Sequence, residues 1–149
     1  MEQHMEQHIE QHIEQQMEQQ MNMKVKKTEK VDIRVLAMGQ DLVFLVTGGE
    51  AHIGAAATAY WIDGGHAPKC DAHTLPGHRE GELAAELAIM AASSLGVTAT
   101  VVVGIHLEQP ASHDIVSIVT LAKEAMREQT DKLAALGDQQ EKSLPTDET

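Results

Sequence analysis

The chain has 149 residues, a formal charge of −12 and one each of Phe, Tyr and Trp, at Phe44, Tyr60 and Trp61. That length suits one domain whose core is built from Val, Ile, Leu, Ala and Met, with less area buried per side chain than an aromatic core supplies, so burial between subunits would help. The charge argues against nucleic acid, which needs a basic stripe; no apolar run reaches the ~18 residues of a membrane span; and the single Cys70 excludes an intramolecular disulfide.

Residues 1–22 repeat a four-residue unit, MEQH decaying to MEQQ, with five Glu and no Lys or Arg. Four residues overshoot one helical turn by about 40°, so Met1, Met5, Ile9, Ile13, Met17 and Met21 spiral around a helix without forming one face. His4, His8 and His12 stand at i, i+4 and can clamp a metal ion, but the simplest reading is a repeat expansion, disordered or weakly helical. It has no apolar stretch of a secretory signal, and with a lone cysteine the expected location is the cytoplasm. Lys24, Lys26, Lys27 and Lys30 are the only basic cluster and read as a solvated flank of the first strand.

The domain is expected over residues 23–128. Lys30 to Met38 alternates, with Val31, Ile33 and Val35 on one side and Asp32 and Arg34 on the other. A Gly39-Gln40-Asp41 turn leads to the apolar run Leu42–Thr47, which completes a hairpin. The alanine-rich stretch His52–Ile62 reads as a third strand, although its three consecutive alanines also suit a helix. Residues 63–76 read as a loop. A helix over about 80–95 follows, buried through Leu83, Leu87 and Met90 and stopped by Gly96. Val97–Ile105 is apolar on both faces and therefore central. Pro110 and Asp114 open a second helix with a stripe of Ile115, Ile118, Val119, Ala122 and Met126. Residues 129–149 read as a charged tail, with helix continuing as far as Leu136 as the alternative. The expected order is β-β-β-α-β-α, an α/β (α+β) sandwich with helices packed on a mixed sheet.

Three histidines stand beside glycine at the end of an element: Gly48-Gly49-Glu50-Ala51-His52, Gly77-His78-Arg79-Glu80-Gly81 and Gly104-Ile105-His106. Glycine there admits positive φ or a close backbone approach, and strand ends and helix starts tend to share one rim. Two chemistries fit. His52, His78 and His106 are a possible three-histidine metal set, though without a short diagnostic spacing. Alternatively, His78 and Arg79 at a helix start favour an anion, with Lys69 and Gly48-Gly49 as further donors. Glu80 and Glu82 oppose an anion, and Glu80 can instead orient a histidine. Nucleophile elbow, P-loop and dinucleotide fingerprint are all absent. Cys70 has His66 and His73 nearby in sequence, but a nucleophile needs its base in space.

The strings Val46–Ala55, Leu75–Gly81 and Val102–His106, in that order, resemble the prenylated flavin chaperone LpdD-like domain, over about residues 30–128. That family includes the small D subunit accompanying UbiD-type gallate (hydroxyarylic acid) decarboxylases, with a fold similar to proteasome assembly chaperones. The resemblance implies a non-catalytic accessory protein that binds or delivers prenylated FMN, or FMN, to the large decarboxylase subunit, and a homo-oligomer, most simply a dimer. The residues assigned to the cofactor are Gly48, Gly49, His52, Gly77, His78, Arg79, Gly104 and His106, with Ala55–Ala57, Tyr60 and Trp61 as candidates for an apolar groove. No metal, nucleic acid or membrane partner is implied. Two other readings stay open: an assembly chaperone or structural subunit with no ligand site, and a small metal-dependent hydrolase using the three histidines.

Overall fold

Alternation decides the first two strands. In a computed structural model, β1 (Val31–Met38) and β2 (Asp41–Gly48) pair antiparallel, with Ile33 opposite Val46 and Val35 opposite Phe44. The described residues are 31–143 together with His8, Gln11 and His12. The rest of the leader repeat, the lysines at 24–30 and residues 144–149 lie outside them.

β3 (Ala55–Tyr60) is a strand, as expected, and its alanines explain why. Ala55, Ala57 and Ala59 lie beneath α1 (Gly81–Leu95), which contributes Ala84, Ala88, Ala91 and Ala92 to the same core. Small side chains on both surfaces let the helix approach the sheet closely, which outweighs the poor strand propensity of alanine. Gly96 ends α1 in the left-handed conformation with φ 65°, its N–H donating to Ala92 O at 2.9 Å.

The stretch read as a loop over 63–76 contains a further strand, β4 (Lys69–Thr74), antiparallel to β3. Its pattern is period two, but in small and polar residues. Cys70 packs against the core while Lys69, Asp71 and His73 are exposed. An edge strand needs no apolar face to be held by its single neighbour. β5 (Ala99–Ile105) is central, parallel to β2 and antiparallel to β3, giving the order β1-β2-β5-β3-β4.

α2 (Ser112–Ser143) starts with Asp114 accepting the Ala111 N–H at 2.9 Å. The helix runs on through the stretch read as a charged tail and past Leu136, because its stripe of Ile118, Ala122 and Met126 continues through buried Thr130 to Leu133. α1 packs on β3, β4 and β5, while α2 packs on α1 and β1. Both helices therefore cover one face of a mixed five-stranded sheet, a two-layer α+β sandwich. The other face carries Leu36, Val43, Leu45, Val102 and Ala56, none of them fully buried, and a Thr58–Thr100 hydroxyl pair at 2.8 Å. Among the described residues no helix is long and apolar enough to cross a membrane.

Phe44 is fully buried and faces Val35 and Val101 across the sheet. Phe44→Ala should lower unfolding free energy by about 3–5 kcal/mol, read from the urea midpoint at unchanged m-value.

Candidate functional site

The parallel pairing of β2 and β5 ends both strands at the same rim, where Gly48 is opposite Ile105. β3 starts there, with Ala55 opposite Val103, and β4 ends there, with Thr74 opposite Ala55. α1 begins beside Thr74: a β-carbon on Gly81 would collide with the Thr74 hydroxyl. Three connections therefore meet at one edge, over residues 49–54, 75–80 and 106–111, and each carries one of the three motif histidines. Backbone bonds tie them together. The His106 N–H donates to Gly48 O, the Gly54 N–H to Val103 O and the Leu75 N–H to Gly54 O, each at 2.9 Å.

Two glycines let these segments cross. A β-carbon on Gly104 would occupy the position of the His52 carbonyl, and one on Gly49, whose φ is +69°, would strike the His106 carbonyl. Only hydrogen fits at either place. Gly48 supplies the carbonyl that anchors His106, and Gly77, with φ +80° and open space around it, serves as a turn.

The side chains follow. The His52 and His78 rings lie 4.9 Å apart, tilted by 30°, and His106 stands edge-on to His52 at 6.1 Å. All three belong to one cluster. Its tightest part has a member outside the expected three-histidine set: Glu80, whose Oε1 is 3.6 Å from His52 Nε2 and whose Oε2 is 3.6 Å from His78 Nδ1. One ligand atom each from His52, His78 and Glu80 lie within 4.8 Å of one another. Glu80 sits at the N-cap of α1 without capping it, and its Oε2 instead accepts the Arg79 N–H at 3.1 Å. Its carboxylate rests against Gly54, where a β-carbon would displace it. The one sequence signal for this role was the adjacency of Glu80 to His78. Its approach to His52, across 28 positions of chain, depends on how the loops meet.

The expected apolar groove is not built as anticipated. Ala55 and Ala57 are core residues. Tyr60 and Trp61 lie at the far end of β3, where the Trp61 indole N–H donates to Ala92 O at 3.2 Å. Lys69 pairs with Tyr60 at that end and is remote from the rim. Exposed apolar surface at the rim comes instead from Ile53 and Leu75, in the loops of His52 and His78. Beside His106 is an open depression lined by His106, Leu107, Glu108 and Gln109. Cys70 approaches the Ala85 carbonyl at 4.0 Å, on the helix side of β4, whereas His73 is on the opposite side. Burial and then the neighbouring Asp71 push the Cys70 thiol up, which makes it a poor nucleophile. His113 pairs with Asp114 at 3.3 Å on the exposed start of α2.

The glycine contacts can be tested by contrast. Gly104→Ala should cost about 3 kcal/mol, because backbone must move. Gly64→Ala, at φ +79° with nothing within 4 Å, should cost only about 1–2 kcal/mol. Chemical denaturation of the two variants side by side measures the difference.

Among known proteins, no curated sequence matches the chain. A family model, that of the prenylated flavin chaperone LpdD-like domain, matches residues 25–134. That span contains the whole sheet, both connections to α1 and all three motif histidines, and the chain belongs to the prenylated flavin chaperone LpdD-like family.

Proposed function

We propose that the chain is a non-catalytic accessory protein that binds prenylated FMN, or its FMN precursor, at the histidine rim and hands it to a UbiD-type aromatic acid decarboxylase. Family membership supports a prenylated flavin chaperone role and association with a prenylated-flavin enzyme. The observation that carries the assignment to this rim is the meeting of His52, His78 and His106 from three separate loops, beside the exposed Arg79. The residues fit the two ends of such a cofactor. The Arg79 guanidinium and the ring N–H groups of His78 and His106 offer donors to a phosphate. Ile53, 61% exposed, and Leu75, 39% exposed, offer apolar contact to a tricyclic ring system. When bound, the cofactor would bring the electron-sink chemistry that the decarboxylase uses; the chaperone's residues only hold, shield and release it.

Titration of the purified full chain with FMN and with prenylated FMN, followed by flavin fluorescence, tests this. His78→Ala and Arg79→Ala should each weaken binding about tenfold, the loss of one charge-assisted hydrogen bond, without unfolding a domain in which both side chains are partly or fully exposed. Absence of any spectral change with either flavin would remove the carrier reading, and unchanged affinity with both residues replaced would put the phosphate elsewhere.

The sheet face opposite the helices supports a second element of the reading, a homodimer. Leu36 is 49% and Met38 71% exposed on β1, in an apolar patch continued by Val43 and Leu45. On β1 the same face presents Asp32 and Arg34, two residues apart. A two-fold axis passing beside Ile33 would set Asp32 against Arg34 of the other copy, which would make this edge complementary to itself. Light scattering of the eluting protein should give a dimer mass for the wild type and a monomer for Leu36→Glu. Arg34→Asp should weaken the dimer, and adding Asp32→Arg should restore it. A wild-type monomer overturns the arrangement.

A further inference from the structure

We propose that His52, His78 and Glu80 form a binding site for one divalent transition-metal ion of the zinc class, with His106 beside it and not among its protein ligands. The inference does not rest on flavin binding.

The orientation of His52 is the first argument. Its Nδ1 lies 3.1 Å from the Glu50 carbonyl, which can only accept, so Nδ1 carries the hydrogen. In the neutral ring, Nε2 is then a bare lone pair, and it faces Glu80 Oε1 at 3.6 Å. Two electron pairs turned toward each other need a positive species between them. A metal-ligating imidazole characteristically donates its other N–H to a backbone carbonyl or carboxylate, which fixes the tautomer and aims the free nitrogen. His52 has that arrangement.

The second argument is the number of groups. Three residues converge, and one ligand atom from each falls within 4.8 Å of the others. In a tetrahedral zinc site with bonds of about 2.0–2.1 Å, neighbouring ligand atoms are about 3.3–3.5 Å apart. The two His–Glu separations, both 3.6 Å, run to the two different oxygens of the Glu80 carboxylate, so a carboxylate chelating through both oxygens sets each histidine nitrogen close to that spacing from one of its ligand atoms. The third argument is support. Glu80 Oε2 is held by the Arg79 N–H, and its carboxylate occupies space that only the missing side chain of Gly54 leaves free. A carboxylate at an N-cap would ordinarily bond the helix N–H groups, and this one is turned to the histidines instead. Nitrogen and oxygen donors in a 2-His-1-carboxylate set suit zinc, iron or nickel over calcium or magnesium. Three protein ligands leave at least one position for water or an anionic oxygen.

The test is a Co²⁺ titration of the full chain in which His4, His8 and His12 are all replaced by Ala, so that the leader histidines contribute nothing. One equivalent of Co²⁺ should bind with visible d–d absorption, and Zn²⁺ should displace it. Glu80→Gln, His52→Ala and His78→Ala should each weaken binding about tenfold or more, whereas His66→Ala, His73→Ala and His106→Ala should leave the stoichiometry unchanged. In the protein with native His52 and Glu80, the ¹⁵N resonance of His52 Nε2 should shift on Zn²⁺ addition, a readout independent of any variant's folding. Absence of stoichiometric Co²⁺ or Zn²⁺ binding, or affinity indifferent to Glu80→Gln and His78→Ala together, overturns the site. The two readings fail separately: flavin binding by a protein that takes up no Co²⁺ removes only the metal site, and stoichiometric Co²⁺ binding by a protein that changes neither flavin's fluorescence removes only the carrier reading.

Discussion

The site depends on backbone packed directly against backbone where β2 and β5 end side by side. The carbonyls of His52 and His106 occupy the positions that β-carbons of Gly104 and Gly49 would fill. Loop residues usually owe their placement to side-chain packing, which tolerates shifts of a few tenths of an ångström. Here the two histidine-bearing segments are wedged against sheet backbone and pinned by the bonds from His106 N–H to Gly48 O and from Gly54 N–H to Val103 O. The imidazoles thereby inherit the precision of the sheet while staying partly open to solvent, a combination suited to gripping a ligand and letting it go.

The rest of the domain is built economically around that edge. The core under α1 is an alanine surface against an alanine surface, with Phe44, Leu87 and Met126 as its bulky members. Such an interface packs densely but removes little area from water per residue. Placing both helices on one side leaves the other side of the sheet with Leu36, Val43, Leu45 and Val102 incompletely covered. In the proposed dimer a thin core and a half-covered sheet would answer the same need, since association on the open face would add the burial that the alanine core cannot.

Much of this was legible in the residues, and what was not has identifiable physical causes. The alternation of Val31, Ile33 and Val35, the continuous run of β5 and the Gly96 stop each state a local preference that tertiary packing also satisfies. β4 was missed because an edge strand held by backbone pairing needs no apolar signature, and Lys69–Thr74 has almost none. The extension of α2 could be read as far as Leu136 only as an alternative to a tail, because Thr130 and Leu133 continue its stripe within a charged stretch, and the run on to Ser143 has no such signal. At the site, the glycine-flanked histidines could be picked out singly. The groove assigned to Tyr60 and Trp61 failed on direction: they are at the opposite end of the strand that begins at the rim. Glu80 was recognised as a possible partner of a histidine, but its contact with His52 is created only where two loops meet.

Glu80 also sets the charge logic of the rim. A phosphate brought among His52, His78 and Arg79 meets a carboxylate already held within 3.6 Å of both rings and only 14% exposed. With neutral imidazoles, that charge repels the incoming anion, and the low exposure of the carboxylate reduces screening by water. The helix start cannot compensate, because its partial charge is about half a unit. A divalent cation seated on the same carboxylate, as proposed above, would reverse the balance and turn a locally negative cluster into a net positive one. Under the two proposals above, an anion-handling rim and a largely buried carboxylate would be compatible, because a cation on Glu80 would favour the anion and its loss would favour release.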